Sequence, residues 1–282
     1  MNSIRNLDSV IDRWLLEDIG TGDHTTFSTI PETATGSARL LVKEEGILAG
    51  AEVARQVFHR FDPGIRFILK IKDGSGIYPG DVVFRVKGKV HSILQCERLV
   101  LNVMQRMSGI ATATREYVKL LEGTGTRILD TRKTTPGMRF HEKEAVRLGG
   151  GKNHRFSLDD LILIKDNHID FAGGIRAAIS GTHAYLEKNG LDLKIVVEVR
   201  SLEDIEEVLA IGGVKRILLD NFSVEQTREA VRLINHRVQT ESSGGITREN
   251  IRNYAECGVD YISVGALTHQ IKSLDLSLKA EF

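Results

Sequence analysis

Between Thr126 and His168 the chain reads TRILDTRKTTPGMRFHEKEAVRLGGGKNHRFSLDDLILIKDNH, a basic segment bounded by two apolar strand candidates. Asp130-Thr131-Arg132-Lys133 closes the first strand and Lys165-Asp166-Asn167-His168 the second, with Arg139, Lys143, Arg147, Lys152, His154 and Arg155 between them. Cationic side chains just past a buried strand are costly unless a carboxylate or a substrate answers them. The whole chain balances 38 basic against 38 acidic residues, so the cluster is local and suits a small polyanion better than nucleic acid. A solvated loop with acidic partners is the plainer alternative.

Two further groups of residues could share that chemistry. Glu198 and Asp220 each follow an aliphatic strand candidate, Ile195-Val196-Val197 and Ile217-Leu218-Leu219. Carboxylates so placed can hold sugar hydroxyls or Mg²⁺, with surface ion pairs as the plain account. Ser243-Gly244-Gly245 and Val264-Gly265-Ala266 close the last two strand candidates, where glycine lets backbone N–H groups approach a phosphate. Ordinary turns would also use glycine there.

The elements that must position these residues form two patterns. From about residue 38 to 95, short strands such as Arg66–Ile71 and Asp81–Val86 are broken by Gly74-Ser75-Gly76 and Pro79-Gly80. A helix candidate, Ala51–Phe61, lies between, which predicts a small α+β domain with an antiparallel sheet. An amphipathic helix precedes it, with Ile4, Leu7, Val10, Ile11, Trp14 and Leu15 at helical spacing. After a long helical stretch from Glu97 to Gly123, strand candidates at 127–129, 161–164, 195–197, 217–219, 238–240 and 261–264 alternate with helices. Ser201 and Ser223 are the expected N-caps of two of those helices, the second with Gln226 completing a capping box. Repeated βα units require a parallel sheet covered by helices. Nearly every strand ends in polar or glycine residues, as at the mouth of a βα barrel, but six strands fall short of the eight of a closed one. The expected fold is therefore α/β: an N-terminal α+β sandwich domain (1–108), then an open, incomplete parallel barrel (109–282) whose C-terminal tail packs back on the first domain.

Composition and failed motifs narrow the function. Hydrophobic residues at 41% and charged residues at 27% are those of a soluble globular chain, with no apolar run long enough for a membrane span. The N-terminus carries acids throughout and has no uninterrupted apolar core, so a secretory signal is not expected, and Cys96 and Cys257 read as buried, reduced thiols in a cytoplasmic protein. Gly149-Gly150-Gly151-Lys152-Asn153 lacks the spacing and the Ser or Thr of a phosphate loop, and Gly20-Thr21-Gly22 lacks a dinucleotide fingerprint's third glycine. His141-Glu142 lacks the second histidine of a zinc-protease helix, and no tight zinc spacing occurs.

The motif series ILDTRKTTPGMR, RLGGGKNHR, LILIKDNHI, VEVRS, LLDNF, ESSGGI and GVDYISVGALTH resembles that of the quinolinate phosphoribosyltransferases, as do EDIGTGDHTT and ERLVLNVMQRMSGIAT before it. The resemblance spans nearly the whole chain and implies transfer of phosphoribosyl from 5-phosphoribosyl 1-pyrophosphate (PRPP) to quinolinate, with decarboxylation, in NAD biosynthesis. It implies that Arg132, His154 and Arg155 bind the quinolinate carboxylates, that Thr131 also contacts substrate, and that Lys133 and Lys165 lie near the reacting centre. Glu198 and Asp220 would hold the ribose hydroxyls and Mg²⁺ of PRPP, and Ser243-Gly244-Gly245 with Val264-Gly265-Ala266 its 5-phosphate. Arg98 would reach into a neighbouring subunit's site, making the functional unit at least a homodimer, with no nucleic-acid or membrane partner. A barrel lyase using Lys133 or Lys165 as a Schiff-base amine, and a non-catalytic sugar-phosphate binding module, are the competing readings.

Overall fold

The computed structural model describes residues 7–281, so Ile4 lies outside the described residues. The first half of the chain runs α1 (Leu7–Ile19), α2 (His24–Thr29), β1 (Thr35–Val42), β2 (Gly46–Ile47), α3 (Ala51–Phe61), β3 (Arg66–Leu69), β4 (Gly76–Ile77), β5 (Val82–Lys89) and α4 (Val90–Leu120). Then follow β6 (Arg127–Leu129), α5 (Arg139–Leu148), β7 (Ile162–Ile164), α6 (Asp166–Ala172), α7 (Ile175–Asn189), β8 (Ile195–Val199), α8 (Leu202–Ile211), β9 (Arg216–Asp220), α9 (Val224–Ile234), β10 (Gln239–Ser243), α10 (Ile251–Ala255), β11 (Tyr261–Ser263), α11 (Ala266–His269) and β12 (Leu276–Glu281).

These elements sort into two compact units. One takes the chain up to Arg115 together with Thr135–Gly150 and the segment from Gln270; the other takes Glu116–Thr134 and Gly151–His269. The division 1–108 and 109–282 follows chain order, whereas compactness groups α5 and β12 with the N-terminal elements.

The first unit is built on an antiparallel sheet in the order β12-β1-β5-β3. Alternation along β1 buries Ala38, Leu40 and Val42, and β12 lies against it with Leu40 opposite Leu278. From α3, Phe58 sits 6.1 Å from both Phe67 and Phe84, an aromatic cluster between helix and sheet. The same unit holds α5 tightly. Glu142 is fully buried and bonded by Arg106, and a methyl at Gly149 would stand 2.5 Å from the carbonyl oxygen of Ala111. The glycine run therefore lets the end of α5 approach α4.

The second unit is a six-stranded parallel sheet in the order β6-β11-β10-β9-β8-β7. Its end strands β6 and β7 do not pair, so the barrel stays open. The segment after α5 runs along that seam: Lys152 bridges Leu129, and Arg155 donates to the carbonyl of Leu161 just before β7. Ser201 and Ser223 cap α8 and α9, and Gln226 completes the second capping box.

Candidate active site

The strand register explains why acidic residues meet in the second unit. Glu198 on β8 and Glu241 on β10 both lie opposite Leu218 on β9, and Asp220 follows two residues on, opposite Ser243. Side chains two apart share one face of a strand, so Arg216, Leu218 and Asp220 all turn to the face carrying the two glutamates. Glu198, Asp220 and Glu241–Ser243 thus lie within strands, not beyond them as their polarity suggests.

Lys165 is fixed at two points. Its N–H donates to Nδ1 of His168 in the first turn of α6, and its Nζ donates to Oε2 of Glu198 at 2.9 Å. Asp220 is half-buried beside them. Burial and then the negative charge of Glu198 push its carboxyl above the usual range, while Lys165 and an amide hydrogen bond from Asn221 oppose that shift. Two carboxylates and one ammonium thus share the ends of β7, β8 and β9.

The basic side sits at the end of β6. Asp130 is fully buried and accepts from Nδ2 of Asn153 (2.6 Å) and the N–H of His154 (2.8 Å), tying the segment after α5 to the strand end. His154 accepts the N–H of Arg155 at Nδ1 (2.7 Å) and turns Nε2 toward Glu241 at 3.6 Å. Glu241 is fully buried; burial would raise its carboxyl, but His154 and Arg216 prevail and hold it low. Burial first, and then the charge of neighbouring Arg132, push the Arg155 guanidinium below its ordinary range, with Asp160 opposing. Lys133 joins the opposite neighbour: its carbonyl accepts from Thr268, and its Cδ would lie 3.1 Å from a methyl at Gly265.

Gly244 and Gly245 are both left-handed, with φ of +88° and +60°, a turn that L side chains rarely adopt. Val264 donates its N–H to Leu129, joining the other glycine turn to β6. Arg139, Lys143 and Arg147 lie on α5, in the first unit, with Lys143 buried and Arg147 paired to Glu144 on the surface. Arg98 is exposed on α4 in that unit. Sequence reasoning missed Asn221 and His269, the latter with its Nε2 2.9 Å from where a methyl at Gly265 would stand. The polar cluster LLDNF and the ending GALTH were the available signals.

Comparison with known proteins identifies the family. The sequence model for the quinolinate phosphoribosyl transferase C-terminal domain matches residues 110–279, and that for the N-terminal domain matches residues 23–108. The chain belongs to the quinolinate phosphoribosyl transferase family. It is 44% identical to quinolinate phosphoribosyltransferase [decarboxylating] 1b of Nicotiana tabacum, over 98% of this chain and 83% of that protein. It is also 43% identical to the probable nicotinate-nucleotide pyrophosphorylase [carboxylating] of Bacillus subtilis (strain 168), over 99% and 94%. The crystal structure of NadC from Streptococcus pyogenes superposes with a TM-score of 0.93 at 40% identity, covering 99% of each chain. In βα barrels the strand ends are the natural place for chemistry.

Proposed function

We propose that the chain transfers the phosphoribosyl group of PRPP to the ring nitrogen of quinolinate and releases pyrophosphate and CO₂, giving nicotinate mononucleotide. The observation that carries this reading is the set of charges at the strand ends: Lys165 is bonded to Glu198 at 2.9 Å with Asp220 beside them, and Arg155 is anchored to the carbonyl of Leu161 at 3.1 Å. Guanidiniums such as those of Arg132 and Arg155 suit a dianionic ligand, since their planar forks match carboxylates.

Arg132 and Arg155 bind the two carboxylates, with Thr131 and His154 completing that side. Glu198 and Asp220 take the ribose hydroxyls, and the turns Ser243-Gly244-Gly245 and Val264-Gly265-Ala266 take the 5-phosphate through backbone N–H groups. As pyrophosphate leaves, positive charge develops on the ribose, and the two carboxylates stabilise it across a short, fixed distance. The pyridine nitrogen bonds to the anomeric carbon and becomes cationic. The C2–carboxylate bond then breaks, its electron pair stays on C2 beside the cationic nitrogen, CO₂ departs, and C2 takes a proton. Lys133 and Lys165 orient the departing carboxylate.

Glu198 and Asp220 also fit an Mg²⁺ ion that arrives with PRPP. Asp220 is raised partly by the charge of Glu198, a repulsion that a divalent cation relieves. Among the described residues no larger cluster of metal-ligating side chains occurs, which suits an ion held by one or two carboxylates and substrate phosphates. When bound, it would neutralise the pyrophosphate.

The pairing of Lys165 with Glu198 argues against the Schiff-base alternative, which needs an amine set in apolar surroundings. We place Arg98 in the active site of a second copy, as an exposed cation on α4. Phe171 and Leu158, 93% and 68% exposed, flank the site segments and suit burial in such a homodimer. No described helix is long and apolar enough to cross a membrane, and both cysteines are free, which supports a cytoplasmic setting. Incubation with quinolinate, PRPP and Mg²⁺ tests the whole reading: stoichiometric nicotinate mononucleotide and CO₂ are expected, and absence of either product overturns it.

A further inference from the structure

Asn221 is one of three non-glycine residues with positive φ among the described residues, at +57°. Asparagine tolerates that region better than most residues because its short side chain finds local partners. Here the partners belong to two different strand ends. The Asn221 N–H donates to the carbonyl of Ser243 at 2.9 Å, and its Nδ2 donates to Oδ2 of Asp220 at 2.7 Å. Its Oδ1 packs against the Cα of Gly244, where a methyl would overlap both Oδ1 and Cγ. One residue therefore touches the end of β9 and the glycine turn after β10 together.

We propose that Asn221 is a positioning residue that holds the Asp220 carboxylate in register with the Ser243-Gly244-Gly245 turn, so that ribose and 5-phosphate are bound as one rigid unit. The inference rests on the reading of those two elements as the PRPP site. Ribose hydroxyls and the 5-phosphate belong to one small molecule with fixed spacing, so a shift between the two strand ends weakens both contacts. The amide holds Oδ2 of Asp220 by direct donation at 2.7 Å. Contact of its Oδ1 with Gly244 fixes which way that donor points.

Asn221→Gly separates this role from turn formation, because glycine keeps the left-handed backbone and the N–H to Ser243 while removing the side chain. Calorimetry with PRPP plus Mg²⁺, and separately with quinolinate, reads the effect on each ligand. The expected result is a loss in PRPP affinity of about tenfold, the scale of one hydrogen bond to a charged group. Quinolinate affinity should stay within about twofold, since its proposed ligands lie on other elements. Asn221→Asp keeps a short side chain but sets a like charge beside Asp220, so it should weaken PRPP more. Should the glycine variant fail to fold, the aspartate variant decides on the same two readouts. Wild-type protein that does not bind PRPP overturns the phosphoribosyl reading and this inference with it. Wild-type binding with PRPP affinity unaltered in the variants overturns this inference alone.

Discussion

Replacing Arg216 by methionine should destabilise the second unit far more than a surface change does. Arg216 donates from Nη1 to Oε2 of Glu241 at 2.7 Å, and Glu241 is fully buried. The guanidinium also stacks over Tyr261, 4.1 Å from the ring centroid. Removing one partner of a buried pair strands the other charge, at a cost of about 3–5 kcal/mol, to which the lost cation–π contact adds roughly 0.5–2 kcal/mol. At about 2–4 °C per kcal/mol for a unit of this size, the melting midpoint at neutral pH should fall by at least ~6 °C. The sign of the pH effect is also fixed. In the parent protein Glu241 is held low, so its contribution is present above the unfolded carboxyl range and lost as pH falls through its depressed value. Without Arg216, burial prevails and the carboxyl titrates high, so the variant should regain ground on the parent as pH falls toward 4. Adding Glu241→Gln to the variant removes the stranded charge and should recover part of the loss. Circular dichroism melts of the parent, the single variants and the double variant across that pH range measure all of this. A midpoint change below about 2 °C in the Arg216 variant, or a double variant less stable than it, would refute the reasoning.

Other consequences are more local. Lys165→Met removes the cation that pulls Asp220 down, so the acid limb of kcat/KM should shift upward in pH with at least a ~10-fold loss of rate, read from a pH–rate profile. His141 is buried between Trp14 and Phe140, and burial takes it down from 6.5 to about 4. Because the unfolded chain binds its proton first, stability should fall as pH drops from 6.5 to 4, by roughly 3 kcal/mol from this residue, and His141→Phe should flatten that slope in urea titrations. Gly149→Ala has ordinary backbone angles (φ −70°) but meets Ala111 and Thr114, so about 1–3 kcal/mol of overpacking is expected as a lowered melting midpoint.

Much of this architecture was legible because local rules agreed with the fold. Helix α3 has the bounds its periodicity predicts, and Ser201 and Ser223 cap the helices that their side chains announce. The six parallel strands and the open barrel followed from βα alternation and the count of strands. Other features depended on partners far along the chain. Glu241-Ser242-Ser243 read as a loop because it is polar, yet it forms a buried strand, since Arg216 and His154 answer Glu241 from other elements. Helix α4 starts at Val90, directly after β5 with no breaker between, earlier than the helical stretch expected from Glu97. The basic cluster also divided: Arg132 and Arg155 belong to the second unit, while Arg139, Lys143 and Arg147 belong to α5 because Glu142 and Gly149 anchor that helix in the first unit. Asn221 looked like one polar residue among several until its backbone sign and its contacts with Asp220 and Gly244 were known.

The central claim is that Arg132 and Arg155 together recognise two carboxylates on one ring. Isothermal titration of quinolinate against its single-carboxylate analogue nicotinate tests it without any turnover. The wild-type protein should prefer quinolinate by at least about tenfold, and Arg132→Ala or Arg155→Ala should erase most of that preference while the protein still melts cooperatively. Equal affinity for the two ligands, or a preference untouched by both substitutions, would contradict the account.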